Sequence, residues 1–171
     1  NLDLSELQIV HDARDVVVGG LMVRPVIVPH DAREPCQYVI RSQVRCDVNP
    51  REKSLGVLTD LGSCSAHVVD HFSACDAYVL ECNHDVQRLH SGPYPPSLKN
   101  RVLSDWGHLS NRQAGDILQK LGCDNLQWLV LAHISQQNND PELALSEITQ
   151  VFDDSEKILV ADQERGFDSC L

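Results

Sequence analysis

Two short, almost wholly apolar segments constrain the fold of this chain most. Each of them ends in polar residues that can bind metal or protons. The first covers residues 54–59 and is followed by Asp60, and the second covers residues 77–81 and ends in the acidic, amide and imidazole side chains of the segment ECNHD. Segments this apolar are typical of strands in a sheet that is covered on both faces. In α/β proteins, reactive side chains gather at the carboxyl ends of such strands. We therefore predict an α/β domain with a site at one edge of its sheet.

The rest of the chain alternates between strand and helix patterns. Strands are predicted at residues 15–18, 21–28, 36–42, 54–59, 77–81, 126–132 and 157–161, and residues 2–10 can form one more. Helices are predicted within residues 63–75, 85–90, 97–103, 111–121 and 142–152, with Ser63 or Ser65 and Ser110 or Asn111 as N-caps. This alternation places the chain in the α/β class, and no repeat or linker divides it, so residues 1–171 are predicted to form a single domain.

Composition limits the classes of protein that remain. The 171 residues are 42% hydrophobic, which is enough for one core, and no apolar stretch is long enough to span a membrane. The net charge of −11 argues against a broad basic surface for nucleic acid, although bound divalent cations can face phosphate where basic residues are scarce. The seven cysteines are odd in number and form no CxxC pair. We therefore expect reduced thiols and a cytoplasmic protein without a membrane partner.

Three predicted strands end in a potential metal ligand. His30 follows VRPVIVP, Asp60 follows LGVLT and His133 follows LQWLVLA. Imidazole and carboxylate groups both bind divalent ions, and the ends of three strands can converge at one sheet edge. Taken singly, each residue has an ordinary alternative, because a strand-end aspartate often caps the next helix and a lone histidine often makes a structural hydrogen bond. Spacing alone therefore leaves a metal site and a structural role both open.

Five segments carry a further signal, in the order VPHDAREP, LTDLG, ECNHD, YPPSLKNRVLSDWGHLSN and LAHISQQNN. In this order they resemble the metallo-β-lactamase-fold hydrolases, and most of all the YycJ/WalJ-type bacterial proteins, which are regarded as metal-dependent phosphodiesterases or DNA exonucleases. The resemblance runs from about Asp15 to about Phe152. It implies a metallo-β-lactamase-like αββα sandwich, of which this chain would form mainly the C-terminal half.

The resemblance also implies a role for each strand-end residue. His30 matches a histidine ligand of a first metal ion, Asp60 an aspartate that bridges two ions, and His133 a histidine ligand of the second. Two divalent ions are therefore implied, with zinc first and manganese or iron as alternatives. In such a site a metal-activated hydroxide attacks phosphorus and the ions stabilise charge on the phosphoryl oxygens. The implied substrate is nucleic acid or another phosphodiester.

The sequence departs from this family at one motif. The family's HxHxDH motif supplies ligands to both metal ions and an aspartate that orients the nucleophile, and it occurs nowhere in the chain. The chain opens with NLDLSELQIV, and its only methionine is Met22. We therefore expect the C-terminal part of a larger domain, whose site is completed by a missing N-terminal half or by a homo-oligomeric partner.

His108 and the residues of ECNHD are candidates to contact the substrate. His108 lies near a predicted helix start, where an imidazole and free backbone N–H groups can meet a phosphate, and the alternative is a structural or capping histidine. Asn83, His84 and Asp85 follow a strand, where they can shape a pocket or form a polar turn with a helix cap.

Other polar residues have supporting or surface roles in this interpretation. Asp31 and Glu34 are candidates to hydrogen-bond His30 and fix its tautomer, as metal-bound histidines require. His67 and His71 lie four residues apart, a spacing compatible with metal on a helix. They match no motif of the family, so a solvated helix face is the simpler interpretation.

Two further functions stay open beside a phosphodiesterase or nuclease. One keeps the fold but hydrolyses a non-nucleic-acid ester, thioester, lactam or lactone, which the scarcity of basic residues favours. The other is a non-catalytic half-fold module that pairs with a partner chain, which the absent HxHxDH motif favours. The ECNHD and SDWGHLSN segments favour the phosphodiesterase over the hydrolase of another substrate.

Overall fold

The computed structural model describes residues 9–42, 52–162 and 166. Its strands are β1 (Val16–Val18), β2 (Leu21–Ile27), β3 (Cys36–Ser42), β4 (Ser54–Leu58), β5 (Ala77–Glu81), β6 (Trp128–Ala132) and β7 (Ile158–Val160). Its helices are α1 (Ala66–Phe72), α2 (Val86–Ser91), α3 (Pro96–Val102), α4 (Asn111–Leu121) and α5 (Pro141–Ile148), with a short 3-10 helix at Ser155–Lys157. The alternation of strands and helices agrees with the predicted α/β class.

The seven strands form one mixed sheet in sequence order from β1 to β7. Strands β1 to β4 pair antiparallel, whereas β4 to β7 pair parallel. Leu58 pairs with Leu80 and Leu80 pairs with Leu131, so β4, β5 and β6 end at nearly the same level. The residues that follow these three strands therefore emerge at one edge of the sheet.

Helices α1, α4 and α5 pack on one face of the sheet. Phe72, Leu118 and Ile148 from these helices join Tyr78 and Leu129 from the strands in one buried core. The Tyr78 hydroxyl donates to the Phe72 carbonyl at 2.6 Å, which ties strand β5 to the end of α1. Burial of these large apolar side chains supplies the main driving force for this packing.

The opposite face of the sheet carries an apolar row that is less completely covered. Val57, Val79, Val130 and Leu159 are in register across β4 to β7, one position away from residues that face the helices. Val57, Val79 and Leu159 are only half-buried. The described residues thus form two layers, one sheet and one set of helices, with a second apolar sheet face turned away from the helices.

Helix capping follows the sequence signals closely. The Ser65 hydroxyl accepts the backbone N–H of Val68 at the start of α1. Ser110 and Gln113 form a capping box at the start of α4, which ends at Gly122 with a φ of 83°. These contacts confirm Ser65 and Ser110 as the N-caps among the predicted alternatives, because each hydroxyl satisfies an otherwise free N–H of the first turn.

Strand β6 and helix α5 are among the predicted elements that are shorter in the structure. Strand β6 begins at Trp128 rather than Leu126, because the Leu126 N–H instead donates to the Cys123 carbonyl in a turn. Helix α5 ends at Ile148 rather than at residue 152, and the Thr149 hydroxyl donates to the Ser146 carbonyl where the helix stops. In both places local hydrogen bonds compete with continuation of the element.

Several predictions fall wholly or partly outside the described residues. The strand expected at residues 2–10 includes only residues 9 and 10 of the described chain, and these are not in a strand. Most of the loop at residues 43–53 and of the tail from residue 164 lies outside as well. Five cysteines are described and all five are free thiols, namely Cys36, Cys64, Cys75, Cys82 and Cys123. Within the described ranges, the helices are all too short or too polar to cross a bilayer.

Replacing Asp76 with alanine is expected to lower the free energy of unfolding by about 2–3 kcal/mol. The Asp76 side chain is 4% exposed and accepts hydrogen bonds from the backbone N–H and the hydroxyl of Ser54, at 2.9 and 3.0 Å. Lys53 lies 3.3 Å from the same carboxylate. The substitution leaves the Ser54 N–H without this acceptor. Urea denaturation at pH 7 measures the loss.

The exposed Asp70 on α1 provides the matched control, and Asp70→Ala should change stability by less than about 0.5 kcal/mol. Burial alone would raise the pKa of Asp76, but the hydrogen bonds from Ser54 and Lys53 outweigh it and lower that pKa. Its contribution is therefore complete above the ordinary value of 3.8 and is lost as pH falls through the lowered pKa. Equal stabilities of the two variants at pH 7 would contradict this account.

Candidate metal centre

The carboxyl ends of β4, β5 and β6 bring three polar side chains together. Asp60 lies two residues after β4, Glu81 is the last residue of β5, and His133 directly follows β6. Asp60 and His133 both have positive φ, at 53° and 56°, a region that non-glycine residues rarely adopt. Such backbone strain is concentrated at functional sites, where the surrounding structure holds it in place.

The Asp60 carboxylate lies between two imidazoles. Its Oδ1 atom is 3.7 Å from Nε2 of His133 and 3.9 Å from Nε2 of His30. The His30 side chain is 13% exposed, whereas those of Asp60 and His133 are about 40% exposed, at 44% and 38%. The three residues that the sequence placed at separate strand ends therefore meet in one place.

The opposite ring nitrogens of these two histidines are already occupied. Nδ1 of His30 is 3.1 Å from the Gly107 carbonyl, and Nδ1 of His133 is 3.0 Å from Oε2 of Glu81. A carbonyl and a carboxylate can only accept, so each Nδ1 carries a proton, and in the neutral tautomer of each ring Nε2 is bare. Two bare nitrogens then face the Asp60 oxygen, an arrangement of acceptors that a shared cation stabilises. This donor set fits a divalent metal ion.

Glu81 is the buried residue on which the centre is built, and the sequence interpretation did not include it among the site residues. Its side chain is 0% exposed. Oε1 accepts from Nδ1 of His108 at 3.1 Å and from the Leu109 N–H at 2.8 Å, while Oε2 accepts from His133 and from the Asp60 N–H. The one signal in the sequence was its position as the last residue of an apolar strand.

The protonation of Glu81 follows from these contacts. Burial would raise the pKa of Glu81, but the hydrogen bonds from His108 and His133 outweigh it and hold that pKa below its ordinary value. In turn, the hydrogen bond to Glu81 raises the pKa of His133. An ionised, fully buried carboxylate thus accepts four hydrogen bonds, which is how proteins compensate a buried charge.

Four side chains offer ligand atoms within 4.8 Å of one another, namely Asp60, Glu81, His108 and His133. This group differs from the set named from the sequence, since it includes Glu81 and His108 and lacks His30. Both oxygens of Glu81 are fully engaged as hydrogen-bond acceptors, so Glu81 orients other groups rather than offering a ligand. His108 lies between the other two imidazoles, with ring centroids 5.2 Å from each of His30 and His133.

The predicted partners of His30 differ from those in the structure. The Gly107 carbonyl, not Asp31 or Glu34, fixes its tautomer. Asp31 lies 3.7 Å from Nε2 of His30 and pairs with the Arg101 guanidinium, which lowers the pKa of Asp31. Glu34 lines a separate surface groove beside Asp12. A backbone carbonyl carries no residue-type signal, so sequence reasoning had no means of finding it.

The three residues of the NHD segment take different positions. The Asn83 amide donates to the His133 carbonyl at 3.1 Å and lines the cleft described below. Asp85 caps α2 by accepting the Arg88 N–H, which matches the alternative role of a helix cap. His84 is 0% exposed, so it does not contact substrate, contrary to the prediction from the sequence. Neither of its ring nitrogens has a hydrogen-bond partner.

His67 and His71 form a separate pair on α1, away from this centre. Nε2 of His67 lies 3.1 Å from Oδ1 of Asp12, and the two imidazole rings meet edge-on with centroids 4.7 Å apart. The His67 side chain is 40% exposed. The pair is therefore a partly solvated helix face with one side-chain contact, to Asp12 of a neighbouring loop.

A cleft of about 620 Å³ opens beside the centre. The residues that line it include several from α3, Tyr94 just before that helix, the loop after β6, and His108 and His133. A cavity of this size lies in the range of small-molecule sites. The centre therefore has both a cation-binding donor set and a space where a substrate can meet it.

Replacing Gly107 with alanine is expected to lower stability by about 2–3 kcal/mol and to weaken metal binding. A Cβ atom at this position would lie 2.2 Å from the Arg101 carbonyl oxygen and 2.3 Å from that of Val102. Backbone atoms cannot yield as a flexible side chain can, so Gly107 must move and its carbonyl must shift away from His30. Thermal unfolding and a zinc titration measure the two effects.

Gly115 on α4 is the matched control, because a Cβ there meets only a Val151 methyl group at 3.3 Å. Gly115→Ala should keep metal affinity within twofold of the unmodified chain, since the residue is remote from the centre. Unchanged metal affinity in the Gly107→Ala variant would show that the Gly107 carbonyl does not orient His30.

The chain is similar in sequence to bacterial proteins that are named exodeoxyribonucleases. The chain is 35% identical over 136 residues to "Exodeoxyribonuclease YycJ" of Bacillus anthracis, which covers 80% of this chain and 48% of that protein. It is 33% identical over 143 residues to "Exodeoxyribonuclease WalJ" of Streptococcus pneumoniae, covering 84% of this chain and 50% of that protein. The chain thus spans about half the length of the curated relatives it matches. No family model matches the chain.

Solved structures share the fold at low identity. The metallo-β-lactamase-fold protein YhfI from Bacillus subtilis superposes with a TM-score of 0.60 and 18% identity, covering 92% of this chain and 52% of YhfI. Zn²⁺-bound PqqB from Methylobacterium extorquens gives a TM-score of 0.59 and 14% identity, covering 95% and 55%. These superpositions confirm the predicted fold class.

Proposed function

The chain belongs to the YycJ/WalJ-type proteins of the metallo-β-lactamase fold, and we propose that it carries part of the active site of a metal-dependent phosphodiesterase. The observation that supports this most is the Asp60 carboxylate between the Nε2 atoms of His30 and His133, at 3.9 and 3.7 Å. The names of the curated relatives suggest DNA as the substrate.

We propose that His30, Asp60 and His133 would hold the divalent metal ions of this site. Zinc suits these ligands, as do manganese and iron. Bound ions of this kind supply Lewis-acid stabilisation of a phosphoryl oxygen and a water of lowered pKa. Ligands beyond these three would come from the part of such proteins that this chain does not match.

The residues around the proposed metal ligands fix the tautomers of the histidines, and one of them can transfer a proton. Glu81 holds His133 in the tautomer that presents Nε2, and the Gly107 carbonyl does the same for His30. Glu81 also binds Nδ1 of His108, which leaves Nε2 of His108 as the nitrogen available to the cleft. In its imidazolium form, which carries a proton on both ring nitrogens, His108 is placed to donate the Nε2 proton to the leaving oxygen of a phosphodiester, the role of a general acid.

The first test is the metal content of the chain, measured by elemental analysis after purification without added metal or chelator. Two equivalents per chain would agree with a dinuclear centre, and one weakly held equivalent would agree with half of such a centre. Asp60→Asn should release the metal, whereas Asp70→Asn on the exposed side of α1 should retain it. Absence of metal from the unmodified chain would contradict the assignment of its ligands.

The second test is hydrolysis by the intact protein with its full metal content. Cleavage of bis-p-nitrophenyl phosphate and of single-stranded DNA is expected, with the rate falling at least about 100-fold in His108→Ala if that residue is the general acid. An intact, metal-loaded protein that cleaves no DNA, RNA or generic phosphodiester would sink the phosphodiesterase proposal.

We further propose that the apolar sheet face turned away from the helices, the open sheet face, is covered by a second sheet. This sheet would come from the remainder of the protein or from a partner chain. Half-buried Val57 and Val79 lie on this face, and a cavity of about 480 Å³ beside Leu55 and Trp128 is lined almost wholly by apolar atoms. The match to half of each relative's length supports this proposal. The same face would serve a non-catalytic module that pairs with a partner.

Size-exclusion chromatography tests this proposal on the chain by itself. Self-association is expected, since an apolar sheet face is unstable in water, and Val79→Lys should restore a species near the chain mass of 19.1 kDa. A clean monomer from the unmodified chain would count against a docking face.

The free thiols of the described cysteines agree with a reducing compartment, so we propose a cytoplasmic location.

A further inference from the structure

The cleft beside the metal centre has an unusual charge balance for a protein that acts on a polyanion. Within the described part of the chain, the charged side chains that line it, apart from histidines, are Asp31 and Arg101. These two pair directly with each other. Among the described residues, the cleft lining therefore includes no lysine or arginine apart from the paired Arg101, and the chain as a whole carries a net charge of −11.

This charge balance limits how the cleft can hold nucleic acid. Proteins that track a phosphate backbone do so with several lysine and arginine side chains, whose binding releases counterions and is therefore strongly salt-dependent. One arginine that is already paired with an aspartate cannot provide such a series of phosphate contacts. Apart from contacts between phosphate and bound metal ions, binding in this cleft therefore depends on contacts to the neutral parts of a nucleotide.

The neutral lining suits a nucleoside. Tyr94 offers an aromatic ring beside the aliphatic side chains of Leu98 and Ile134, and Gln136 and Gln137 offer exposed carboxamides. An aromatic ring can stack on any base, and carboxamides pair with the donor and acceptor edges of bases. His108 and His133 line the same cleft, so a nucleoside bound there would lie next to the candidate metal centre.

We propose that this cleft is a nucleoside subsite, which binds the base and sugar of the nucleotide adjoining the phosphate that is cleaved. The inference rests on the proposed phosphodiesterase function for its biological meaning, although the binding itself can be measured without catalysis. Recognition through one nucleoside predicts that short fragments bind as well as long strands. It also predicts a shallow dependence of affinity on salt, because few phosphates are neutralised.

The test compares two ligands that differ only in the base, thymidine 5′-monophosphate and 2-deoxyribose 5-phosphate. Binding to the full chain is measured by isothermal titration calorimetry in EDTA, so that metal–phosphate contacts do not contribute. Thymidine monophosphate should bind at least about fivefold more tightly, the lower end of the range for stacking one base on an aromatic side chain. Tyr94→Ala should remove this difference, and Tyr94→Phe should keep it because the ring remains.

Gln136→Ala in the cleft is paired with Gln119→Ala, an exposed glutamine on α4 outside the cleft. The first should weaken thymidine monophosphate binding and the second should not, and circular dichroism checks that each variant is folded. Equal affinity for the two ligands, no binding of either, or full binding by both Tyr94→Ala and Gln136→Ala would each overturn the subsite.

The outcomes separate this inference from the proposed function. Base-dependent binding by a protein that cleaves no phosphodiester would leave a nucleotide-binding site and remove the proposed activity. Cleavage of bis-p-nitrophenyl phosphate without any preference for thymidine monophosphate would leave the activity and remove the subsite.

Discussion

Replacing Glu81 with glutamine is expected to lower affinity for a divalent metal ion 10- to 100-fold, because Glu81 orients His133, one of the proposed ligands. Its two oxygens accept four hydrogen bonds, from His108, His133 and two backbone N–H groups. Glutamine turns one oxygen into an amide that donates, so that amide would face groups that also donate. One histidine must then change tautomer and present a protonated nitrogen where a bare one is needed.

The same substitution is expected to lower the free energy of unfolding by about 3 kcal/mol, because a fully buried hydrogen-bond network loses an acceptor. Zinc titration and urea denaturation at pH 7 measure the two effects. Glu147→Gln on α5 changes the same functional group outside the centre and should leave both quantities unchanged. A Glu81→Gln variant with unaltered metal affinity would show that the tautomers are not set by this carboxylate.

Lowering the pH from 7 to 4 is expected to cost the fold about 3 kcal/mol through His84 alone. Burial lowers the pKa of His84 from its ordinary 6.5 to about 4. Between these two values the unfolded chain binds a proton at this residue and the folded chain does not. Stability is therefore complete above pH 6.5 and falls as the pH decreases toward 4.

Substitution of His84 by leucine isolates this effect. The variant should unfold with a weaker pH dependence between 6.5 and 4, and with similar stability at pH 7, since neither ring nitrogen has a hydrogen-bond partner to lose. His90→Leu, an exposed histidine on α2, is the control and should keep the dependence of the unmodified chain. Parallel stability curves for the unmodified chain and His84→Leu would contradict the assignment. Urea denaturation at a series of pH values supplies the comparison.

Local sequence signals predicted most of the secondary structure. The strands at residues 36–42 and 77–81 and the helix at residues 111–121 have the predicted bounds. These elements depend on contacts within a few residues, namely the Ser110–Gln113 capping box, the positive φ of Gly122 and short runs of apolar residues. The predicted ends failed at Leu126 and after Ile148, where turn hydrogen bonds between nearby residues interrupt an apolar pattern.

The candidate metal centre, too, could be predicted from the sequence only in part. That His30, Asp60 and His133 follow strands was visible in the sequence, and the parallel register of β4, β5 and β6 makes two of those positions level. Their meeting within 4 Å, with the opposite ring nitrogens already occupied, could not be predicted from spacing. Orientation of an imidazole depends on partners far away in sequence, such as Gly107 for His30.

By itself, the sequence determined the α/β class, the positions of most elements, the family and three strand-end residues that could bind metal. Only the tertiary structure decided that Glu81 organises the centre, that His84 is buried and that one sheet face stays open. Helix caps and strand patterns are local, so residue types encode them directly. Burial, tautomers and the pairing of Asp31 with Arg101 arise between residues dozens of positions apart, so they exist only once the sheet has formed.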